Sequence, residues 1–384
     1  MNILLLNYEY PPLGGGAGKA TQNIARHLAK LQNNVHVITS NSKFSFNKTF
    51  ENEVSVYYVP SIRKGIHDCG LRGALTYLFF AYITLLYLAR QNKYDIVHYF
   101  FSLPTAFLSI LPGRHKKLPY IVSLRGSDVP NYDLYHKKLE FLHKLYLPLT
   151  KHIWKKANKV VAVTPSLRLT ALRTNPKQSI EIIPNGIDTT IFSPSTNRKN
   201  DDNNFRLITV SRLIKRKGIQ YILKALSEIK DDSISLTIIG EGNYEKELKK
   251  MNDDLGLSKT VVFLGYCKRE SIPIYLQRSD VFILLSLAEA FGNVIAEAMA
   301  CSLPIISSNE GGIPDLVTSE NGILVQPEDI LQIKSAIILM KNNKEMRRSI
   351  GKANTEKITT FYNWESVASA YKNIYLESLD GHYK

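Results

Sequence analysis

Two glutamates stand at a spacing that suits a phosphorylated ligand. Glu289 and Glu297 have seven residues between them, including a Phe-Gly-Asn turn. The apolar run Val281–Leu285 predicts a buried strand, and the residues from Asn293 onward predict a short helix. Asn293 is a favoured N-cap residue, and Gly292 permits the sharp approach. Because a helix start presents free N–H groups and a positive dipole end, this segment predicts a diphosphate site.

The two carboxylates would hold hydroxyl groups on either side of that diphosphate, a sugar on one side and a ribose on the other. Glu289 lies at the mouth of the helix, and Glu297 lies about one turn deeper, roughly 6 Å at the helical rise. The alternative, a surface Glu297 on an amphipathic helix, is disfavoured because its neighbours are nearly all apolar. These neighbours are Val294, Ile295, Ala296, Ala298, Met299 and Ala300.

A second motif supplies positive charge. The segment Val210–Leu223 follows a predicted strand and leads into a predicted helix. Arg212 offers a bidentate fork and Lys217 a point charge, and both suit a diphosphate that becomes more negative as a sugar leaves. We interpret Lys215 and Arg216 as an ordinary basic loop.

A glycine loop follows the first predicted strand, within residues 11–22. Gly14, Gly15 and Gly16 allow a ligand to approach the backbone closely. A P-loop is excluded because Ala20 stands where Ser or Thr is required. A dinucleotide site is disfavoured because the second predicted strand does not end in an acidic residue.

Strand and helix patterns alternate along both halves of the chain, which predicts an α/β protein with two Rossmann-like, doubly wound parallel-sheet domains. The predicted strands are Ile3–Asn7, Val35–Thr39, Val54–Val59, Asp95–His98, Tyr120–Ser123, Lys159–Val163, Ile180–Ile183, Leu207–Val210, Leu236–Ile239, Val261–Leu264, Val281–Leu285, Pro304–Ser307 and Ile323–Val325. The predicted helices of the second half are Ile219–Ile229, Tyr244–Asp254, Asn293–Ala300 and Asp329–Lys341.

The domain boundary is predicted after residue 188. The turn cluster Pro184–Asp188 ends the first domain, residues 1–188, and the polar run Asn197–Asn204 suits a surface linker. The second domain then covers residues 189–363.

The charge of the chain is concentrated in its first half. Residues 1–192 carry 24 Lys and Arg against 10 Asp and Glu, a net charge of +14, whereas the remaining residues carry +1. This asymmetry favours an anionic partner, and a merely solvated basic surface is the alternative. Nucleic acid is the weakest option because no nucleic-acid-binding motif accompanies the charge. Three scattered cysteines and an N-terminal strand pattern indicate a reducing compartment and no signal peptide.

The segment Gly73–Ala89 contains 17 residues without a charge, between Arg72 and Arg90. That length is the lower limit for crossing a bilayer. A helix that is buried or lies at an interface is the favoured interpretation, and a membrane span is the alternative.

These motifs together resemble the retaining glycosyltransferases of family 4, also called group 1, which have the two-domain GT-B fold. The resemblance covers nearly the whole chain and is densest from Val210 to Gly322. It implies a C-terminal helix, about residues 364–384, that crosses back onto the first domain, and a cleft between the domains. It also implies catalytic roles for Glu289, Arg212 and Lys217. The residues matching the family's nucleotide-sugar site are these three with Gly15, Gly16, Phe291, Gly292, Asn293, Val294 and Glu297, and Gly14, Arg125 and Asp128 match its acceptor side.

One position departs from the family. Many members have a histidine before the glycine of the motif that begins at Ser123, and here Arg125 stands there while Gly126 and Asp128 match. A permanent cation cannot relay protons. Arg125 would hold an anionic group of donor or acceptor, or pair with Asp128.

The implied reaction moves a sugar from a nucleotide-diphosphate sugar to a hydroxyl of a glycan or lipid-linked acceptor, with retention of configuration and without a metal or other cofactor. A UDP-sugar is favoured and GDP-mannose is second. The expected setting is surface polysaccharide or glycolipid synthesis in the cytoplasm, at the anionic inner face of the cell membrane. The alternatives are a nucleotide-sugar epimerase, a phosphorylase of the same fold, which the short chain disfavours, and a non-catalytic sugar-nucleotide sensor.

Overall fold

The computed structural model describes residues 1–66, 68–133, 135–195 and 204–381, which form two compact units. Unit 1 comprises Met1–Gly186 and Trp364–Lys384, and unit 2 comprises Ile187–Asn363. The division therefore falls two residues before the predicted boundary. The predicted linker lies outside the described residues except for Asn204, which directly precedes a strand.

Unit 1 is built on a single sheet. Its strands are β1 (Asn2–Leu6), β2 (Asn34–Ser40), β3 (Asn47–Glu51), β4 (Val54–Val59), β5 (Ile96–Phe100), β6 (Tyr120–Ser123), β7 (Lys159–Ala162) and β8 (Ile180–Ile182). Its first four α-helices are α1 (Gly16–Lys30), α2 (Gly70–Gln91), α3 (Lys137–Lys156) and α4 (Pro165–Thr174), and Thr105–Ile110 and Arg114–Lys117 form 3-10 turns. The strand order is β3-β4-β2-β1-β5-β6-β7-β8, and all pairings are parallel except β3 with β4.

The centre of this sheet is apolar on both faces. β1 and β5 are almost wholly buried, which is typical of parallel strands covered on both sides. Helix α1 places Ile24, Ala25 and Leu28 in the core beside them. Because the strand order reverses between β1 and β5, the loops after these two strands emerge at the position where such sheets bind ligands.

Strand β3 is missing from the predicted strands. Its side chains are exposed except for the half-buried Thr49, so the sequence shows no apolar alternation there. Asn52 and Glu53 have positive φ and form the tight turn into β4. The tight turn and the pairing with β4 form this strand, and neither of them requires alternating hydrophobic residues in the sequence.

Unit 2 contains a second sheet. Its strands are β9 (Phe205–Val210), β10 (Ile234–Ile239), β11 (Val261–Gly265), β12 (Val281–Leu284), β13 (Ile305–Ser308) and β14 (Gly322–Val325). Its helices are α5 (Ile219–Ile229), α6 (Glu245–Asp254), α7 (Ile272–Gln277), α8 (Asn293–Ala300), α9 (Ile313–Leu316), α10 (Ile330–Asn342) and α11 (Lys344–Phe361), and Lys215–Lys217 and Arg269–Ser271 are 3-10 turns. The order β11-β10-β9-β12-β13-β14 is all parallel and reverses between β9 and β12. The two α/β parallel-sheet domains confirm the predicted fold class.

Helix α11 was not predicted from the sequence, because it buries few apolar side chains. Asn354 lies on its buried side, where it donates to the carbonyls of Leu303 and Asn321. The last helix, α12 (Trp364–Asp380), belongs to unit 1 rather than to the preceding unit. It packs on α1, and Tyr371 and Tyr375 are completely buried in the unit 1 core.

Helix α2 is the single helix in the described part of the chain that is long and apolar enough to cross a membrane. It packs on β2 and β4, with Tyr77, Ala81 and Leu85 buried. The opposite face is exposed to solvent. We call its large side chains, which recur every fourth residue, the apolar stripe: Leu71, Leu75, Phe79, Ile83 and Tyr87.

Candidate active site

The candidate site in unit 2 lies where the strand order reverses. The loop after β9 contains Arg212 and ends in the 3-10 turn Lys215–Lys217, and the loop after β12 contains Glu289. These loops follow neighbouring parallel strands, so they meet at the same edge of the sheet. The backbone N–H of Leu287 donates to the carbonyl of Arg216 at 2.8 Å, which joins the two loops directly.

A buried ion pair lies at this junction. The Nζ of Lys217 donates to the Oε2 of Glu289 at 2.5 Å, with the two side chains only 10% and 19% exposed. The hydroxyl of Ser286 lies 3.4 Å from the same oxygen. Because the ammonium has three N–H donors, Lys217 retains donors for a ligand after binding Glu289. The sequence predicted both residues for the site, and the structure brings them together.

Glu289 is held in its ionised form. Burial alone would raise the pKa of its carboxyl group, but the charge and hydrogen bond of Lys217, with the charges of Arg216 and Arg212, lower the pKa below its usual value. Arg212 itself is exposed, and it forms no side-chain hydrogen bond or ion pair with the described residues. A bound anion at the mouth of this loop would therefore meet an unengaged guanidinium.

Glycines let three loops approach each other closely. A Cβ on Gly218 would lie 1.9 Å from the carbonyl oxygen of Leu285, and one on Gly311 would lie 2.3 Å from that of Glu289. The next residue, Gly312, donates its N–H to the Glu289 carbonyl at 2.7 Å. The Gly-Gly loop after β13 therefore fixes the backbone of Glu289, a role that its sequence did not predict.

Helix α8 begins at Asn293, as predicted, but its cap differs. Gly292 occupies the N-cap position with φ of +89°, and Asn293 is the first helical residue rather than the cap. The helix start carries no side-chain cap from the described residues. Phe291 is buried against Tyr362, with ring centroids 5.8 Å apart. Asn293 and Val294 are half-buried beside this start.

Glu297 has a protein partner that sequence reasoning missed. The Nη2 of Arg269 donates to its Oε1 at 2.5 Å, and the guanidinium lies 5.0 Å from the ring centre of Phe192. Glu297 is 4% exposed, so the expectation that a charge there needs a partner holds. The sequence signal for this partner was the pair of basic residues Lys268 and Arg269, which follows strand β11.

The glycine loop of unit 1 follows β1 at the reversal point of its own sheet. Gly14 has φ of +86°, Gly15 is the N-cap of α1, and Gly16 begins the helix. The carboxylate of Glu9 lies 3.4 Å from the N–H of Gly15, a contact the sequence analysis did not foresee. A polar pocket of about 240 Å³ lies next to this loop, lined by Pro12, Leu13, Ser40, Asn41, Ser42, Asn47, Thr49 and Tyr58.

Arg125 and Asp128 lie together in the loop after β6, but they do not form a side-chain ion pair. Asp128 accepts hydrogen bonds from the backbone N–H of Arg125 at 2.8 Å and from the N–H of Ser102 at 2.7 Å. The Arg125 guanidinium donates instead to Oδ1 of Asn185 at 2.8 Å. Of the alternatives weighed for Arg125, pairing with Asp128 is therefore wrong.

The described residues contain no cluster of three or more His, Cys, Asp or Glu side chains that could hold a metal ion. Near the reversal point of the unit 2 sheet, the described residues place the cationic side chains of Arg212 and Lys217 and the start of α8.

Known structures share this architecture. Sucrose-phosphate synthase from Thermosynechococcus elongatus aligns with a TM-score of 0.84 and 19% sequence identity, over 99% of this chain and 100% of that one. Two Rossmann-like units of this kind define the GT-B class of glycosyltransferases.

The family follows from the sequence itself. Residues 14–191 match the model of Glycosyltransferase Family 4, and residues 193–357 match that of Glycosyl transferases group 1. The chain belongs to the group 1 glycosyltransferases of this family.

Two curated relatives extend over almost the whole chain. N-acetyl-alpha-D-glucosaminyl L-malate synthase of Bacillus anthracis is 25% identical, covering 96% of both chains. Alpha-monoglucosyldiacylglycerol synthase of Acholeplasma laidlawii is 26% identical, over 99% of this chain and 98% of the relative.

We predict that Gly311→Ala destabilises unit 2 more than Gly256→Ala does. Both glycines have positive φ, +59° and +70°, so both substitutions incur a backbone strain of roughly 1–2 kcal/mol. A Cβ at Gly256 meets nothing within 4 Å, whereas the one at Gly311 meets the Glu289 carbonyl. Urea unfolding of the two variants measures the difference, and equal losses would show that the close approach does not matter.

Proposed function

We propose that this protein transfers a sugar from a nucleotide-diphosphate sugar to an acceptor hydroxyl, with retention of configuration and without a metal. The observation that carries the proposal is the buried Lys217–Glu289 pair at the reversal point of the unit 2 sheet. It combines, in one place, a cation for a leaving diphosphate and an ionised carboxylate for a sugar.

The transfer step follows from these charges. The bond between the anomeric carbon and the diphosphate oxygen breaks, and the diphosphate gains negative charge that Lys217, Arg212 and the start of α8 stabilise. The acceptor oxygen attacks from the same face, and its proton passes to the departing diphosphate. A covalent glycosyl-enzyme is not required.

The two glutamates have separate tasks in this proposal. Glu289 accepts hydrogen bonds from sugar hydroxyls and stabilises positive character at the anomeric carbon, because its carboxylate stays ionised. Glu297 binds the ribose hydroxyls, and Arg269 holds the carboxylate in place for that contact.

For the donor we favour a UDP-sugar, with GDP-mannose second. For the acceptor we favour a glycan or lipid-linked hydroxyl, to be taken by unit 1. The relatives' names include the synthesis of a glucosyl lipid and of an L-malate glycoside. The polar pocket beside the glycine loop contains the hydroxyl of Ser40, which is buried and has no hydrogen-bond partner among the described residues, and this suits a polyhydroxylated acceptor.

A product assay separates the main rivals. Incubation with UDP-, GDP- and ADP-sugars, with and without a candidate acceptor, releases the free nucleotide diphosphate and a new glycoside if the protein is a transferase. An isomerised sugar would indicate an epimerase instead. Binding of a nucleotide sugar without any turnover would indicate a sensor.

We also propose peripheral attachment of unit 1 to the anionic cytoplasmic face of the cell membrane. Residues 1–192 carry the net charge of +14, and the apolar stripe of α2 is exposed beside Phe44 and Phe46, which contact Phe80. Exposed Lys and Arg gain about 1 kcal/mol each near anionic lipid, an attraction that salt screens. Large exposed apolar side chains beside such charge fit the headgroup region of a bilayer.

Lys217→Ala and Arg212→Ala should each lower turnover by roughly 10²–10³, the scale for losing one preorganised electrostatic contact. Lys215→Ala is the matched control, because Lys215 is exposed in the same turn. Steady-state kinetics with and without EDTA measure the effect. Near-normal turnover in both site variants, or activity abolished by EDTA, contradicts the metal-free proposal.

Glu289→Gln should lower turnover while leaving nucleotide affinity nearly unchanged, whereas Glu297→Gln should mainly weaken nucleotide binding. The reason is that Glu289 faces the reacting sugar, while Glu297 faces the ribose. Isothermal titration with the nucleotide diphosphate, combined with kcat measurements, separates the two effects. The opposite pattern would mean that the sugar and ribose ends are exchanged.

Flotation with anionic vesicles should show binding at low salt that decreases at high salt and is removed by carbonate. Leu75→Glu/Phe79→Glu should weaken binding at low salt, because it places charge in the apolar stripe. Leu331→Glu, an exposed site of unit 2, is the control. Absence of binding at low salt refutes the membrane proposal, and binding that survives carbonate would favour a membrane span.

A further inference from the structure

Unit 1 contains a buried cation whose side-chain partners are all neutral. Arg125 is 8% exposed, and its guanidinium donates to Oδ1 of Asn185 at 2.8 Å and to the hydroxyl of Tyr371 at 3.4 Å. It lies 4.8 Å from the ring centre of Phe100. No carboxylate of the residues that the structure describes is within ion-pairing distance of the guanidinium.

The surrounding network adds no negative charge. His98 lies 2.7 Å from both the Tyr375 hydroxyl and Ser123 Oγ, and Ser123 Oγ is 3.1 Å from the Tyr371 hydroxyl. Burial, with the charge of Arg125, lowers the pKa of His98 well below its usual value, so the imidazole is neutral. The network therefore orients Arg125 without neutralising it.

The nearest acidic residue in sequence, Asp128, is fully engaged elsewhere. Its Oδ2 accepts hydrogen bonds from the N–H and the hydroxyl of Ser102, and its Oδ1 accepts one from the Arg125 backbone. Burial raises the pKa of Asp128 although these hydrogen bonds oppose the change. Asp128 shapes the loop and leaves the guanidinium without a counterion.

Burying a charge without a counterion destabilises the folded protein, and a bound ligand of opposite charge would remove this penalty. A guanidinium has five N–H donors, and the buried Nε of Arg125 has no hydrogen-bond partner in the part of the chain that the structure describes. The planar fork suits the paired oxygens of a carboxylate or phosphate. By contrast, the buried Lys217 of unit 2 already has its carboxylate.

We propose that Arg125 is the centre of an oxyanion subsite in unit 1, which binds a carboxylate or phosphate group of the acceptor. That this oxyanion belongs to an acceptor rests on the proposed function, but binding of the oxyanion itself does not. The subsite makes the protein selective for acidic acceptors, such as uronate-containing or phosphate-linked glycans, over neutral ones.

The test uses inorganic phosphate and D-glucuronate as probes, with chloride at equal ionic strength as the reference. The buried Nε–H of Arg125 provides an NMR signal, assigned by its loss in Arg125→Lys. We expect at least one probe to shift this signal saturably. If neither probe shifts it, the inference is overturned, and whichever probe binds identifies the source of the oxyanion as phosphate or carboxylate.

Affinity measurements give a second readout. Arg125→Met should weaken the affinity of the protein for the probe that shifts the Arg125 signal in the wild type. The expected loss is roughly tenfold to a hundredfold, the scale for a charge-assisted hydrogen bond. Arg125→Lys, which keeps the charge but not the planar fork, should have an intermediate effect, and the exposed Arg173→Met should have none. Phosphate also meets the cations of unit 2, so each variant is compared in the Lys217→Ala background. Unchanged affinity in both Arg125 variants refutes the subsite.

These outcomes are independent of sugar transfer. Oxyanion binding at Arg125 in a protein that transfers no sugar would leave the subsite standing and refute the proposed function. If the protein transfers sugar but neither probe shifts the Arg125 signal, the proposed function would stand and the subsite would be refuted.

Discussion

The ion pair between Lys217 and Glu289 is the interaction on which the unit 2 site depends. It exists because the strand order reverses between β9 and β12, so that two loops far apart in sequence leave the sheet side by side. Glycines at positions 218 and 311 then allow backbone contacts that no side chain would tolerate. Since burial alone would raise the pKa of Glu289, the nearby lysine also helps to keep the carboxylate ionised. The strand order thus brings the two side chains together, and their contact in turn sets the protonation state of the carboxylate.

The two units treat a buried cation in opposite ways. In unit 2 the carboxylate of Glu289 compensates the charge of Lys217. In unit 1 hydroxyl, amide and aromatic groups surround Arg125, and they fix its direction without reducing its charge. The first arrangement suits a charge that develops during a reaction, and the second suits a charge that a substrate already carries.

Much of this fold was readable from sequence because parallel strands covered on both faces are continuous apolar runs. β3 and α11 were missed because they lack such an apolar pattern. β3 is an exposed edge strand, and α11 has the polar Asn354 on its buried side. At the site, glutamates among apolar neighbours and cations after a strand were strong signals. Arg269 was not, because its pairing with Glu297 joins the turn after β11 to helix α8, which only the tertiary structure brings together. The neutral groups around Arg125 could not be predicted either, since Tyr371 is 246 residues away in sequence.

Helix α12 has a consequence for how the chain is made. The core of unit 1 includes Trp364, Tyr371 and Tyr375, although the first segment of this unit ends at Gly186. On a ribosome, the first 186 residues therefore emerge long before their core can close, and unit 2 is synthesised completely in the interval. Unit 2 is continuous in sequence, so it can fold before the last helix of unit 1 has been synthesised. During this interval the first half of the chain, which includes the apolar helix α2, lacks the side chains that complete its core.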